Sequence, residues 1–199
     1  MKKVLYVLHQ KTSVAGDVGN KFKQRGFEAD IVRPPLGDLL PSDLSSYSAV
    51  VIFGGPMSVN DDDEFIKNEI KWMKNVIDSK IPFLGICLGA QILAKYLGCE
   101  VIKNKNDFAE IGFFEIEPVD VGNEIFKYQN IFYQFHTEGF ELPNKCQLLA
   151  RGEIFKNQAF KYKNCYALQF HPEVSHTING NILIKNFYSI NTCDYIIRH

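Results

Sequence analysis

The chain has 199 residues, of which 46% are hydrophobic and 23% are charged, and its formal net charge at pH 7 is −1. This length accommodates one α/β domain with a sizeable core, so residues 1–199 are interpreted as a single domain. The basic residues are scattered along the chain, which argues against a nucleic-acid or membrane-surface role.

The first half of the chain alternates segments with strand character and segments with helix character. The predicted strands are 4–8, 28–32, 49–53 and 81–86, and the predicted helices are 14–25, 64–77 and 90–97. The helix at 64–77 has apolar residues at Ile66, Ile70, Met73 and Ile77, which is helical spacing. The acidic stretch 60–64 is interpreted as the N-terminus of this helix, not as a metal site.

The second half is richer in strands. The predicted strands are 113–116, 131–135, 148–150, 158–162 and 166–170, and a closing helix is predicted at 178–188. Together the two halves predict a three-layer α/β fold, with a mostly parallel central sheet, helices on both faces and a strand-rich second half.

Cys87 is the strongest candidate for a reactive group. It lies between Gly85 and Gly89, at the point where a buried strand leads into a helix. This pattern is typical of a nucleophile elbow, in which glycines permit a sharp turn. The N–H groups and the dipole of the following helix favour a thiolate at this position.

His171 and Glu173 are the candidate partners of this cysteine. His171 follows the predicted strand 166–170, and Pro172 and Glu173 come directly after it. A carboxylate that holds one imidazole nitrogen leaves the other nitrogen for the thiol, as in a Cys-His-acid triad. The N–H of Leu88 and the Gly54-Gly55 turn are the predicted oxyanion-hole donors.

The five cysteines show neither a C-x-x-C pair nor zinc-ligand spacing. No apolar run reaches the length of a transmembrane helix, and the short run 4–8 is interpreted as a strand, not a secretory signal. These observations predict a reducing, cytoplasmic setting. The four cysteines other than Cys87 are interpreted as packing residues.

Several segments together resemble the class I glutamine amidotransferases. They are Gly-x-Cys-x-Gly-x-Gln at 85–91, His-Pro-Glu at 171–173, the Gly-Gly-Pro-Met-Ser-Val turn at 54–59 and Phe-His-Thr-Glu-Gly-Phe at 135–140. Within that family the stretch 170–187 is most similar to the GMP synthase subgroup. The opening at 7–10 departs from that subgroup, as do Leu88 and Ala90, where Tyr and Met are usual.

The resemblance implies a stand-alone domain with the flavodoxin-like fold of that family and roles for individual residues. Cys87 would form a γ-glutamyl thioester from glutamine and release ammonia, with His171 as acid and then base and Glu173 orienting it. Gln91 would contact the bound glutamine, and backbone groups near Phe135 and His136 would hold its α-amino and carboxylate ends. No cofactor and no metal are expected.

The destination of the nitrogen stays open at this stage. The chain has neither a phosphate-binding Gly-x4-Gly-Lys-Ser/Thr loop nor a Ser-Gly-Gly-x-Asp motif, so a synthetase subunit is the expected receiver of ammonia. The alternatives are a γ-glutamyl peptidase that uses the same triad and a catalytically silent regulatory module. His136 and Glu138 could also be surface-loop residues, His9 is expected to be structural or to line the rim, and His176 is not expected to be catalytic.

Overall fold

The computed structural model describes residues 2–174. The predicted closing helix at 178–188, together with His176 and Cys193, lies outside the described residues. Among residues 2–174, no helix combines the length and apolar character that a membrane crossing requires.

The first half of the chain folds as the alternation predicts. Its elements are β1 (Lys2–Val7), α1 (Gly16–Gln24), β2 (Phe27–Val32), β3 (Tyr47–Ile52), α2 (Glu64–Ser79), β4 (Phe83–Ile86) and α3 (Leu88–Tyr96). Every strand and helix predicted here is present, with ends that shift by one or two residues. A short 3-10 turn at Pro34–Leu36 was not predicted.

The second half contains every strand predicted from the sequence and three short ones that were not. Its elements are β5 (Val101–Lys103), β6 (Glu110–Glu115), β7 (Glu117–Pro118), α4 (Gly122–Ile125), β8 (Ile131–His136), β9 (Glu138–Phe140), β10 (Gln147–Arg151), β11 (Ala159–Tyr162) and β12 (Cys165–Leu168). The unpredicted strands β5, β7 and β9 have two or three residues each, too few to show a periodic pattern.

The central sheet has eight strands in the order β2-β1-β3-β4-β12-β11-β10-β7. The strands from β2 to β12 in this order run parallel, and β11, β10 and β7 extend the sheet with antiparallel neighbours. Two further pairs, β5 with β9 and β6 with β8, lie outside this sheet. The predicted α/β fold with a mostly parallel central sheet is therefore confirmed.

Apolar side chains cover both faces of the sheet. On one face α1 contributes Val18 and Phe22 to an apolar cluster, in which Phe22 packs against Tyr6 and Phe27 and which extends to Phe132 and Phe170. On the other face α2 and α3 pack against the sheet through residues such as Met73 and Ile92. Helices on both faces keep the parallel strands away from water, as such strands require.

Helix α2 is rotated slightly from the orientation that its apolar residues suggest. Ile66 and Met73 are buried as expected, whereas Ile70 and Ile77 are half-buried. The helix instead buries three other residues, Glu69, Trp72 and Val76. The Trp72 ring nitrogen donates a hydrogen bond to the Pro41 carbonyl, which favours this orientation. A carboxylate consequently lies on the buried face of the helix.

A Gly89→Ala substitution should destabilise the fold, because the new Cβ would collide with the Ile52 carbonyl oxygen. We expect a loss of more than about 2 kcal/mol in the free energy of unfolding, as in overpacked cores. Gly98→Ala is the control, since its φ is +86° but nothing lies within 4 Å of its Cβ. It should lose about 1 kcal/mol from backbone strain alone. Equal losses in urea unfolding would contradict the steric explanation.

Candidate active site

The candidate site lies where three neighbouring parallel strands end. Gly54 follows β3, Cys87 follows β4, and Gln169 and His171 follow β12. Because β3, β4 and β12 are adjacent and parallel, their carboxyl ends lie at the same edge of the sheet. Open α/β sheets usually bind ligands at this edge.

Cys87 has a strained backbone. Its φ is 51° and its ψ is −105°, and it is the residue that begins helix α3. Its N–H donates a 2.8 Å hydrogen bond to the Leu168 carbonyl of the adjacent strand β12. A non-glycine residue at such a φ typically costs about 1–3 kcal/mol and is common at functional sites.

The flanking glycines leave room for the turn, as expected from the sequence, but they do not themselves adopt its unusual backbone conformation. The sharp turn belongs to Cys87 itself, because neither Gly85 nor Gly89 has a positive φ. A Cβ on Gly85 would lie 2.5 Å from the Gly89 carbonyl oxygen, and a Cβ on Gly89 would collide with Ile52. The two glycines therefore allow the helix to begin in direct contact with the sheet.

His171 and Glu173 form the pair expected from the sequence. Nδ1 of His171 lies 2.7 Å from Oε1 of Glu173, and the two side chains are only 14% and 12% exposed. The backbone of each residue is also held. The His171 N–H donates to the Tyr133 carbonyl, and the Glu173 carbonyl accepts from the Asp17 N–H.

The charge on His171 is stabilised by its neighbours. Burial of the ring would by itself lower its pKa, but its interactions with Cys87 and Glu173 outweigh burial and raise the pKa to about 11. Protonated His171 therefore stabilises the folded state below about pH 6.5, and this contribution is lost as the pH rises through about 11. The structure thus brings Cys87, His171 and Glu173 together as an interacting group.

The Gly54-Gly55 turn contacts the same group. A Cβ on Gly54 would lie 2.7 Å from Cε1 of His171 and 3.4 Å from Cβ of Cys87, so the backbone approaches both side chains closely. Neither the Gly55 N–H nor the Leu88 N–H donates a hydrogen bond within the described residues. Both groups are accordingly available to a ligand.

A cavity of about 440 Å³ opens beside Cys87. Its walls include all the sequence-predicted substrate residues, Gln91, Phe135 and His136, and also the charged residues Asp61, Lys103 and Glu138. Gln91 is buried, and its side-chain Nε2 donates to the Glu138 carbonyl and, at 3.4 Å, to Oε1 of Gln169. Phe135, in contrast, is 59% exposed at the cavity rim.

His136 lies in β8 and is buried, so it is not a surface-loop residue. Both ring nitrogens of His136 have partners within the protein, so neither is free to bind a ligand in the cavity. Nδ1 contacts the Glu138 carbonyl at 2.9 Å, and Nε2 contacts Gln134 Oε1 and Glu110 Oε2 at 3.0 Å each. The His136 side chain is therefore structural in this arrangement.

Sequence reasoning assigned no role to Gln169, and it left Glu138 open as either a substrate contact or a surface-loop residue. Gln169 is fully buried, and its Nε2 lies 3.9 Å from Sγ of Cys87. Glu138 accepts a 2.6 Å hydrogen bond from the Ser58 hydroxyl, which ties β9 to the turn after β3. A glutamine in an otherwise apolar strand end, immediately before Phe170 and the His-Pro-Glu motif, was the available signal for Gln169.

Comparisons with known proteins agree with this geometry. The family model for class I glutamine amidotransferases matches residues 7–190. A subunit of the glutamine-hydrolysing GMP synthase of Pyrococcus furiosus is 35% identical over 147 residues, which cover 71% of this chain and 74% of that protein.

Two solved structures also match this chain in fold. A glutamine amidotransferase from Thermotoga maritima superposes with a TM-score of 0.80 at 30% identity, covering 92% of this chain and 89% of that one. A putative GMP synthase subunit from Thermoplasma acidophilum gives a TM-score of 0.76 at 26% identity, with 100% and 96% covered.

A Glu173→Gln substitution should lower the pKa of His171, because a neutral amide does not stabilise the imidazolium as a carboxylate does. NMR titration of isotope-labelled histidine would measure the shift. Glu141→Gln, which neutralises an exposed carboxylate, is the matched control and should leave the titration unchanged. If the His171 titration were identical in the Glu173→Gln protein and the wild type, the role of Glu173 in holding the charged ring would be refuted.

Proposed function

The chain belongs to the class I glutamine amidotransferase family, and on that premise we propose that Cys87, His171 and Glu173 perform its glutamine hydrolysis. The observation that supports the proposal most directly is that these three residues lie together at the ends of two adjacent parallel strands, β4 and β12, beside a cavity. In this assignment Cys87 is the nucleophile, His171 is the acid and base, and Glu173 orients His171 through the 2.7 Å contact at Nδ1.

The first half of the reaction forms a thioester. Sγ of Cys87, as the thiolate, attacks the side-chain amide carbon of glutamine, and the carbonyl oxygen becomes an oxyanion. As the C–N bond breaks, His171 transfers its Nε2 proton to the leaving nitrogen. Ammonia departs, the γ-glutamyl group remains on Cys87, and His171 is left neutral.

The second half hydrolyses the thioester. Neutral His171 takes a proton from water while the water oxygen attacks the thioester carbon. When the C–S bond breaks, the electron pair returns to Cys87 as the thiolate, and glutamic acid is released and loses its proton to solvent. The Cys87 thiolate and the His171 imidazolium are thereby restored.

We assign the oxyanion hole to the backbone around Gly54, Gly55 and Leu88. The N–H groups of Gly55 and Leu88 have no partner within the described residues, and Gly54 gives the turn its close approach to Cys87 and His171. One such donor typically contributes about 3 kcal/mol to transition-state stabilisation. Donors that are fixed before the substrate arrives need no reorganisation during the reaction.

The charges on the cavity wall suit the two ends of a free amino acid. Lys103 supplies a positive charge for an α-carboxylate, and Asp61 and Glu138 supply acceptors for an α-ammonium group. We place the glutamine backbone among these residues and the backbone near Phe135 and His136, with Gln91 beside the side chain. Gln91 is held in place by its hydrogen bond to the Glu138 carbonyl.

We infer that the ammonia is used by a separate synthetase subunit, as in a GMP synthase of the two-subunit type. The Pyrococcus furiosus relative is named as one subunit of such an enzyme, and the match covers 74% of its length. In this arrangement the chain supplies the glutaminase and its partner activates the acceptor.

A Cys87→Ala substitution should abolish glutamine hydrolysis, with kcat reduced by at least roughly a thousandfold, because the covalent route is lost. It should also abolish labelling by a glutamine-mimicking electrophile, detected by intact-protein mass spectrometry. Cys165→Ala is the matched control, since Cys165 is also buried, lies at the opposite end of β12, and has a thiol pKa that burial raises to about 12. Persistent labelling of the Cys87→Ala protein would refute the nucleophile assignment.

A kinetic panel of glutamine against γ-glutamyl peptides should give the higher kcat/KM for glutamine, because the charged cavity wall matches both ends of the free amino acid. Ammonia or amine release is the readout, with and without the synthetase component of a GMP synthase. Partner-free turnover that strongly favours γ-glutamyl peptides would replace the amidotransferase assignment with a peptidase. If no substrate were turned over and Cys87 stayed unlabelled, the chain would be a silent module.

A further inference from the structure

A buried histidine and a buried glutamate lie directly behind the proposed oxyanion hole, and neither takes part in the proposed hydrolysis. His9 comes just after β1, and Glu69 lies on the buried face of α2. Both side chains are completely inaccessible, and Nε2 of His9 lies 3.1 Å from Oε2 of Glu69. Within residues 2–174 the other oxygen, Oε1 of Glu69, has no hydrogen-bond partner. The Glu69 side chain therefore makes its hydrogen bond to His9.

The second nitrogen of His9 contacts the glycine turn. Nδ1 lies 3.1 Å from the carbonyl oxygen of Gly54, which can only accept a hydrogen bond. Nδ1 must therefore carry a hydrogen. Glu69 is compatible with a hydrogen on Nδ1 in two ways. As a carboxylate it accepts a hydrogen bond from Nε2 of an imidazolium, and as a carboxylic acid it donates one to Nε2 of a neutral ring.

Fixing the Gly54 carbonyl also fixes the next N–H. The peptide between Gly54 and Gly55 is trans, since the described residues contain no cis peptide bond. In a trans peptide the C=O and the N–H point in opposite directions. A carbonyl held towards His9 therefore directs the Gly55 N–H away from His9, and both Gly55 and Cys87 line the cavity.

Two consecutive glycines cannot hold this orientation by themselves. Glycine has no side chain to restrict rotation, so a Gly-Gly peptide plane is free to turn unless it is bonded or packed. His9 also supplies the packing, since a Cβ on Gly55 would lie 2.8 Å from Cβ of His9 and 3.0 Å from its Cγ. The ring thus both bonds to the Gly54 carbonyl and supports the Gly55 backbone.

We propose that His9 is a positioning residue that orients the Gly55 N–H for the oxyanion, and that Glu69 holds His9 in the form protonated at Nδ1 which this task requires. The inference rests on the proposed function and adds to it. The oxyanion hole is, on this account, fixed by the chain itself before glutamine or a synthetase partner binds.

Two substitutions of His9 separate the two nitrogens. The amide nitrogen of asparagine can occupy the place of Nδ1, so His9→Asn keeps a donor for the Gly54 carbonyl. The amide of glutamine reaches the place of Nε2, so His9→Gln keeps the contact with Glu69 and loses the one with Gly54. Removing an oxyanion donor costs about 100- to 1000-fold in kcat, and a misdirected donor should cost about 10- to 100-fold.

We therefore expect His9→Gln to lower kcat for glutamine about 10- to 100-fold with KM changed by less than about threefold, because the lost interaction is made only in the transition state. His9→Asn should retain kcat within about fivefold of the wild type. Wild-type kcat in a folded His9→Gln protein would overturn the inference. A wild-type protein that hydrolyses no γ-glutamyl compound would instead contradict the proposed function, so the two failures are distinguishable.

Alkylation of Cys87 by iodoacetamide distinguishes positioning from general damage to the site. This reaction needs the thiolate but develops no oxyanion, so its rate should be the same in the wild type and in His9→Gln. Parallel losses of alkylation rate and kcat in both His9 variants would show a merely structural role and overturn the inference.

Substitutions of Glu69 provide a second test that does not depend on the folding of the His9 variants. In Glu69→Gln the amide can donate to Nε2, which leaves the hydrogen on Nδ1, so kcat should stay close to that of the wild type. In Glu69→Ala the ring loses the partner that holds Nε2 and is free to turn away from the Gly54 carbonyl, so kcat should fall about 10-fold or more. Equal kcat in these two proteins would overturn the role assigned to Glu69.

Discussion

The close approach of helix α3 to strands β3 and β4 is the constraint on which the rest of the site depends. Gly85 and Gly89 have no side chains, so the helix begins against the sheet, where a Cβ on Gly89 would lie 2.2 Å from the Ile52 carbonyl oxygen. The chain has to reverse within one residue to achieve this, and Cys87 takes the positive φ that the reversal requires. The strain at Cys87 is therefore a consequence of the packing, and it places the sulfur where adjacent strands end.

Polar groups around the cysteine fall into two sets. Those behind the site mostly have partners: Gln91, His136 and His9 make hydrogen bonds to other protein groups, and Oε1 of Glu69 is an exception within the described residues. Those that face the reacting atoms are unpaired within the described residues, as shown by the N–H groups of Gly55 and Leu88. A buried polar network that is fully bonded is rigid, whereas an unbonded donor in a protected cavity interacts strongly with a ligand. The arrangement thus combines a stiff support with free donors at one edge of the sheet.

Much of the architecture could be predicted from the sequence because it depends on local patterns. Alternating apolar runs and helical spacing were sufficient to predict the strands and helices from β1 to α3. Cys87 and His171 follow predicted strands, and the carboxyl ends of parallel strands lie at one edge of the sheet, so their proximity could be predicted as well. The pairing of His9 with Glu69 was not predicted, because the two residues are 60 positions apart and meet only through the rotation of α2. The carboxylate on the apolar side of that helix was the one local sign of it. The need for glycines beside Cys87 was predicted, but the close contact of Gly89 with Ile52 is a tertiary contact that a local sequence pattern does not show.

The burial of His9 with Glu69 has an evolutionary consequence. Removing one partner of a buried ionisable pair leaves the other uncompensated, which typically costs about 3–5 kcal/mol, a large part of the stability of an ordinary domain. A lineage that carries this pair is therefore unable to replace either residue freely. The position just after β1 and the position on α2 are expected to covary across descendants, with the pair retained or exchanged as a unit and single replacements rare.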